Sequence, residues 1–327
     1  MPNLETKYMG LTLKNPIVVA SSGLTNSVEK IKDLENAGAG ALVLKSIFEE
    51  QINHEVIHLI NRDPQNLYPE AEDYIWNYTR NNSITRHLNL LSVAKKETEI
   101  PIIASINCMS ASEWIVFAKD FENAGADALE LNLFFVPTDR LLSSDQIEQN
   151  YLRIVSEVKK NVSIPVSVKI GFYYTNLIGM ADKLTANGAD ALVLFNRFYE
   201  PDINIEKLEM SASDVFSSAA DIRRSMRWIG LISSQLPKVE IAAGTGIHDG
   251  EAVIKQLLAG AQVTQVCSSV YINGSQIIAS MTNDLKEFMK KWNFKKIEDF
   301  RGRLSYKNIP DPMLYERAQF MKYFSSK

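Results

Sequence analysis

Two lysines, three asparagines and an arginine share one kind of place in this sequence, just after a run of apolar strand formers. Lys45 follows "ALVL", Asn107 follows "PIIASI", Asn132 follows "ALEL", Lys169 follows "PVSV", and Asn196 with Arg197 follows "ALVLF". One strand-end asparagine commonly satisfies loop backbone, and one strand-end lysine commonly reaches solvent. A set of them on one rim has a chemical use. An ammonium group stabilises negative charge gained by an electron-accepting ring, and carboxamides offer a donor and an acceptor to its heteroatoms. Arg197 adds a planar cation able to hold a carboxylate bidentately, or to pair with Glu200 or Asp202. Further on stand "AGTGIHDG" and "CSSVYING", in which Gly244 and Gly246 let backbone approach an anion while Ser268 and Ser269 supply hydroxyl donors. No metal site is expected. Cys108 and Cys267 lack ligand spacing, and His54, His58, His87 and His248 are scattered and read as surface or loop residues.

Those positions need elements that end on a common face. "NAGAGALVLK", "NAGADALELN" and "ANGADALVLF", with "LAGAQVTQVC" as a looser copy, each join a glycine helix stop to a buried strand. The complementary strands are "PIVVAS", "PIIASI", "PVSVKI" and "VEIAAG", near-continuous apolar runs of the type buried on both faces. Strand starts near 17, 41, 101, 128, 165, 191, 239 and 263, separated by amphipathic stretches, predict an α/β chain folded as a (β/α)8 TIM barrel. In that fold the chemistry sits where strands exit at their C-terminal ends, and the loops after the seventh and eighth strands hold phosphate. Longer gaps place extra loops after the second, fourth and sixth strands. An open doubly wound sheet is the rival, but no GxGxxG follows the first strand. The expected organisation is one domain over 1–327, with barrel strands over about 17–268 and Ile277 to Lys327 as closing helix and tail.

Composition narrows the function classes. The 327 residues are 46% hydrophobic and 23% charged with a net charge of -4, enough for a large core and without a basic block for nucleic acid. No apolar run reaches the length of a spanning helix, and the first residues lack a signal-peptide pattern, so a cytoplasmic location is expected.

"YMGLTLKNPIVVASSG", "LVLKS", "ADALELN", "IPVSVKI", "AGTGIHDGEAVIKQLLAGAQVTQVCSS" and "IEDFRGRLS" together resemble the FMN-dependent dihydroorotate dehydrogenases, in particular their soluble class, over nearly the whole chain. The resemblance implies FMN as cofactor, oxidation of dihydroorotate to orotate in pyrimidine biosynthesis, a homodimer, and an electron-transfer partner subunit as one route out for electrons. It also implies roles. Ala20, Ser21, Lys45, Ser46, Asn107, Asn132, Lys169 and Asn196 would surround the flavin ring and ribityl chain, and Gly244, Gly246, Ser268 and Ser269 its phosphate. Lys45, Asn132 and Asn196 would also touch substrate; Arg197, standing where the family has Thr or Ser after this last asparagine, is a departure that would offer the substrate a fixed positive charge.

Departures from the family pattern are local. The family's Asn-Leu-Ser-Cys-Pro-Asn loop carries a cysteine base, and here Asn132 to Pro137 read "NLFFVP", with Phe135 at the base position. Cys108 is one substitute on paper; Thr138, Asp139 and Ser143 are others. The substrate loop after the second strand is replaced by "NYTRNNSITRHL", where Asn81 or Asn82 matches only loosely. Two alternatives therefore stand beside dihydroorotate oxidation: a flavin-dependent reductase of another planar substrate, and a non-catalytic FMN-binding barrel serving as a partner subunit. A flavin-free barrel of the sugar-phosphate isomerase type lacks a visible acid/base pair.

Overall fold

The computed structural model describes residues 2–60, 69–108 and 111–317, so the end of the expected tail lies outside the described residues. A short antiparallel hairpin, β1 (Thr6–Tyr8) and β2 (Leu11–Leu13), precedes the first barrel strand. Eight parallel strands follow: β3 (Ile17–Val19), β4 (Ala41–Val43), β6 (Ile102–Asn107), β7 (Ala128–Leu133), β8 (Val166–Ile170), β9 (Ala191–Leu194), β12 (Glu240–Gly244) and β13 (Val263–Val266). Each pairs with the next in chain order, and β13 pairs back onto β3, which closes the barrel. The eight predicted strands are all present and the (β/α)8 reading holds. A two-residue strand, β5 (Ile47–Phe48), extends the edge of β6 beyond the end of β4.

The α-helices are α1 (Val28–Asn36), α2 (Glu49–Ile60), α3 (Pro69–Glu97), α4 (Ala111–Asn123), α5 (Ser144–Asn161), α6 (Leu177–Ala186), α7 (Ile222–Gln235), α8 (Gly250–Ala259), α9 (Ser268–Asn273), α10 (Ile277–Lys291) and the short α11 (Met313–Glu316). The repeated glycine motif explains how helices return to strands. Gly38, Gly125, Gly188 and Gly260 all have positive φ, at 103°, 93°, 105° and 124°. After each, the next amide donates to the carbonyl five residues back: Ala39 to Leu34, Ala126 to Phe121, Ala189 to Leu184 and Ala261 to Gln256. This is the Schellman stop, and it satisfies a helix-end carbonyl while turning the chain toward the sheet. The residue after the turn then fastens the unit to the preceding strand. Asp127 accepts from Ile102 N at 2.7 Å, Asp190 from Val166 N at 2.8 Å and Gln262 from Ile241 N at 2.6 Å.

Side chains alternate across the strands, so each strand feeds two cores. Val18, Val43, Ile103, Ala128, Val193, Ala242 and Val263 face the barrel interior, where Tyr8, Met9 and Leu13 of the hairpin cap the lower end. Their neighbours pack outward against the helices. The long connections fall where the gaps predict: α2 and α3 after β4, the segment 134–143 after β7, and a hairpin of β10 (Pro201–Asn204) and β11 (Glu209–Ala212) after β9. All three overhang the C-terminal ends of the strands. Among the described residues no helix is long and apolar enough to cross a membrane.

Candidate active site

Three hydrogen-bonded groups form the floor where the strands end. Ser21, Ser46 and Ser105 make a hydroxyl chain, with oxygens 2.9 and 2.7 Å apart, and the Ser46 amide donates to Ser21 Oγ at 2.9 Å. The three asparagines do converge: Asn107 Nδ2 donates to the Asn132 carbonyl at 3.2 Å, and Asn196 Nδ2 to Asn132 Oδ1 at 2.8 Å. In the third group Lys169 was expected but its partners were not. Lys169 Nζ lies 3.5 Å from Glu130 Oε1 and 3.1 Å from Gln265 Oε1, while Gln265 Nε2 donates to Glu130 Oε2 at 2.5 Å. Glu130 is only 1% exposed, so this carboxylate holds the lysine head over the barrel axis. Glu130 stands two residues before Asn132, and the period of a strand puts both on one face.

Above the floor is a cavity of about 380 Å³, within the usual range for small-molecule sites. Ala20, Ser21, Lys169, Asn196, Gly244, Gly246 and Ser268 all line it, so the two ends of the predicted site share one space. Ser217, which the sequence did not mark, links its far end. Its amide donates to Ser268 Oγ at 3.0 Å, and its hydroxyl meets Gly246 N at 3.4 Å and His248 Nε2 at 3.0 Å. Ser269 Oγ is fully buried with no hydrogen-bond partner among the described residues. Gly246 has a steric reason beyond anion approach. At φ 79° a Cβ would stand 2.2 Å from Ile222 N, so the glycine lets the start of α7 close against the loop.

Several expectations need correcting. Arg197 lines the cavity, but its guanidinium is spent on the overhanging loop: it donates to the carbonyls of Asp214 at 2.6 Å and Val215 at 3.3 Å and lies 3.4 Å from Asp221. Its ion-pair partner is therefore Asp221, not Glu200 or Asp202. Lys45 does not line this cavity. It faces a second one of about 270 Å³, lined by residues of α2 and α3. Cys108 packs against the hydrophobic core, and burial pushes its thiol far above the ordinary range, with Glu49 and Glu113 adding to the effect. A thiol so strongly held protonated is no substitute base.

Where a base would project from the loop after β7, the chain has aromatic bulk. Phe134 and Phe198 have ring centroids 4.1 Å apart, and Tyr173 stacks on Phe198 at 5.1 Å. Phe135 is half exposed, and its backbone hydrogen-bonds the Tyr151 hydroxyl, whose titration burial pushes up to about 12.

The family model for dihydroorotate dehydrogenase matches residues 3–289, which takes in every barrel strand and every floor residue described above. The chain belongs to the dihydroorotate dehydrogenase family. It is 30% identical to the catalytic subunit of dihydroorotate dehydrogenase B (NAD(+)) of Thermoplasma volcanium, over 92% of this chain and 98% of that protein. It is 27% identical to the corresponding subunit of Thermoplasma acidophilum, over 92% and 99%. With dihydroorotate dehydrogenase A (fumarate) of Limosilactobacillus reuteri the identity is 26%, over 90% and 96%. Dihydroorotate dehydrogenases are oxidoreductases acting on CH–CH groups, and this chain is an oxidoreductase of that kind.

Proposed function

We propose that this chain binds FMN in the 380 Å³ cavity and oxidises dihydroorotate to orotate. The observation that carries the reading is Lys169, a lysine head held by Glu130 and Gln265 at the centre of a floor of carboxamides and hydroxyls. The donor set fits a flavin. Lys169 would stand against the electron-rich edge of the ring, Asn107, Asn132 and Asn196 against polar atoms of ring and substrate, and Ser21 and Ser46 near the ribityl chain. Gly244, Gly246, Ser217 and Ser268 would receive the phosphate; Ser269, fully buried, does not line the cavity.

The bound flavin supplies a two-electron acceptor. The chain's residues bind, orient and polarise. The Lys169 ammonium stabilises charge that develops on reduction, in a site where burial makes the interaction stronger than in water. Asn132 and Asn196 restrict each other through their shared hydrogen bond, so their remaining donors are fixed before substrate arrives. Arg197, by anchoring 214–215, keeps the overhanging loop down and water out of the cavity.

A homodimer and an electron-transfer partner subunit belong to the same reading, the latter supported by relatives named as catalytic subunits. The cofactor assignment is checked by denaturing the purified protein and identifying what it releases. One equivalent of FMN is expected; a colourless supernatant, or FAD in its place, would contradict it.

A further inference from the structure

The second cavity holds a histidine for which the reading so far has no use. Lys45 from the end of β4, Gln51 and Glu55 from α2, and Ser83, Arg86 and His87 from α3 line its polar part. His87 Nδ1 lies 2.9 Å from the Ser83 carbonyl. A carbonyl only accepts, so Nδ1 carries the proton and, in the neutral ring, Nε2 carries a lone pair.

The surroundings keep that ring neutral. Burial lowers the His87 titration first; the bond to Ser83 works against this, Arg86 and Lys45 lower it further, and Glu55 on the facing helix raises it. The net direction is down, so the imidazole is free to accept a proton at neutral pH. His87 is tied to the flavin site through Lys45. It shares its cavity with Lys45, and the next residue, Ser46, bonds Ser21 on the wall of the 380 Å³ cavity. Meanwhile Phe134, Phe135, Val136 and Pro137 in the loop after β7 cannot take a proton, and further along it Thr138, Asp139 and Ser143 are exposed, with Asp139 accepting from Leu141 N and Ser143 capping α5.

We propose that His87 Nε2 is the catalytic base of this chain, taking the proton that the family pattern assigns to a cysteine. The proposal rests on the reading of the chain as a flavin-dependent dihydroorotate dehydrogenase. Of the two hydrogens lost, the one on the carbon next to the C4 carbonyl leaves as a proton to Nε2. The other leaves with its electron pair to the oxidised flavin, the carbon–carbon bond becomes double, and the imidazolium then releases its proton to solvent. Lys45 in the same cavity suits a substrate that carries a carboxylate, while Arg86 faces Glu55 at 3.9 Å.

The test compares wild type with His87→Gln in anaerobic stopped-flow reduction by L-dihydroorotate across acid and neutral pH, with flavin content measured in parallel. The variant is expected to keep its flavin and to reduce it about 10²- to 10⁴-fold more slowly, the usual worth of a positioned base. Wild type should lose rate as pH falls through a limb below the ordinary histidine value of ~6.5, and His87→Gln should lack that limb. A second readout needs no turnover: the His87 ring nitrogens, followed by 15N NMR, should show the Nδ1-protonated neutral tautomer and should shift when orotate is added. A variant within about threefold of wild type, or ring nitrogens indifferent to orotate, overturns the assignment of His87 and leaves the enzyme reading in place. A wild type that keeps its flavin oxidised under dihydroorotate removes the enzyme reading, and His87 as its base with it.

Discussion

Lys169→Met is expected to slow reduction of the bound flavin about 10²- to 10³-fold, the usual cost of deleting one preorganised charge donor. A second effect accompanies it. Glu130 is 1% exposed and would be left with Gln265 alone, and breaking a buried pair from one side costs about 3–5 kcal/mol. Rate and stability can be separated with Lys169→Met/Glu130→Leu, which removes the stranded carboxylate. Thermal stability should recover toward wild type while reduction stays slow. Stopped-flow absorbance and a melting curve on the same samples decide it. A double variant that regains both would make Lys169 a structural counter-ion and nothing more.

Gly246→Ala is the second large effect. The residue sits at φ 79°, and an added Cβ would lie 2.2 Å from Ile222 N and 2.8 Å from the Asp221 carbonyl carbon, both backbone atoms with no rotamer to yield. The start of α7 must move. The segment before it carries Ser217, whose contacts to Gly246, Ser268 and His248 join three loops at the far end of the cavity. A loss of about 3 kcal/mol or more in stability is expected, the scale of backbone strain added to a displaced loop, together with loss of retained flavin. Flavin-to-protein absorbance ratio and melting temperature measure the two. An unchanged ratio would mean that the loop after β12 does not touch the cofactor.

What could be read from the sequence divides along a physical line. The strands and their closure were legible because each αβ unit repeats one local rule, a glycine stop followed by a strand buried on both faces. The asparagine rim was legible because in a parallel barrel every strand end reaches the same surface. Glu130 and Gln265 were missed although the signal was present: a charged and an amide side chain inside the otherwise apolar runs "ALEL" and "VTQV" demand buried partners. Their pairing with Lys169 is a meeting across the barrel axis, which no spacing along the chain reveals. Ser217 and His87 lie on the inserted loop and helix, whose path over the barrel is set by tertiary packing, so His87 read as a surface residue until α3 placed it against Lys45. Arg197 was read with Glu200 or Asp202 as partner, but its partners lie further along the same overhanging loop, at 214–215 and Asp221.

The central claim is that this barrel couples a bound flavin to dihydroorotate although Phe135 stands where the family has its base. The most direct measurement is the anaerobic visible spectrum of the purified protein before and after one addition of L-dihydroorotate. The account predicts a flavin band that bleaches and returns on exposure to oxygen. A flavin band that stays oxidised through the addition would contradict it, leaving the fold and the cofactor cavity but withdrawing dihydroorotate as the substrate.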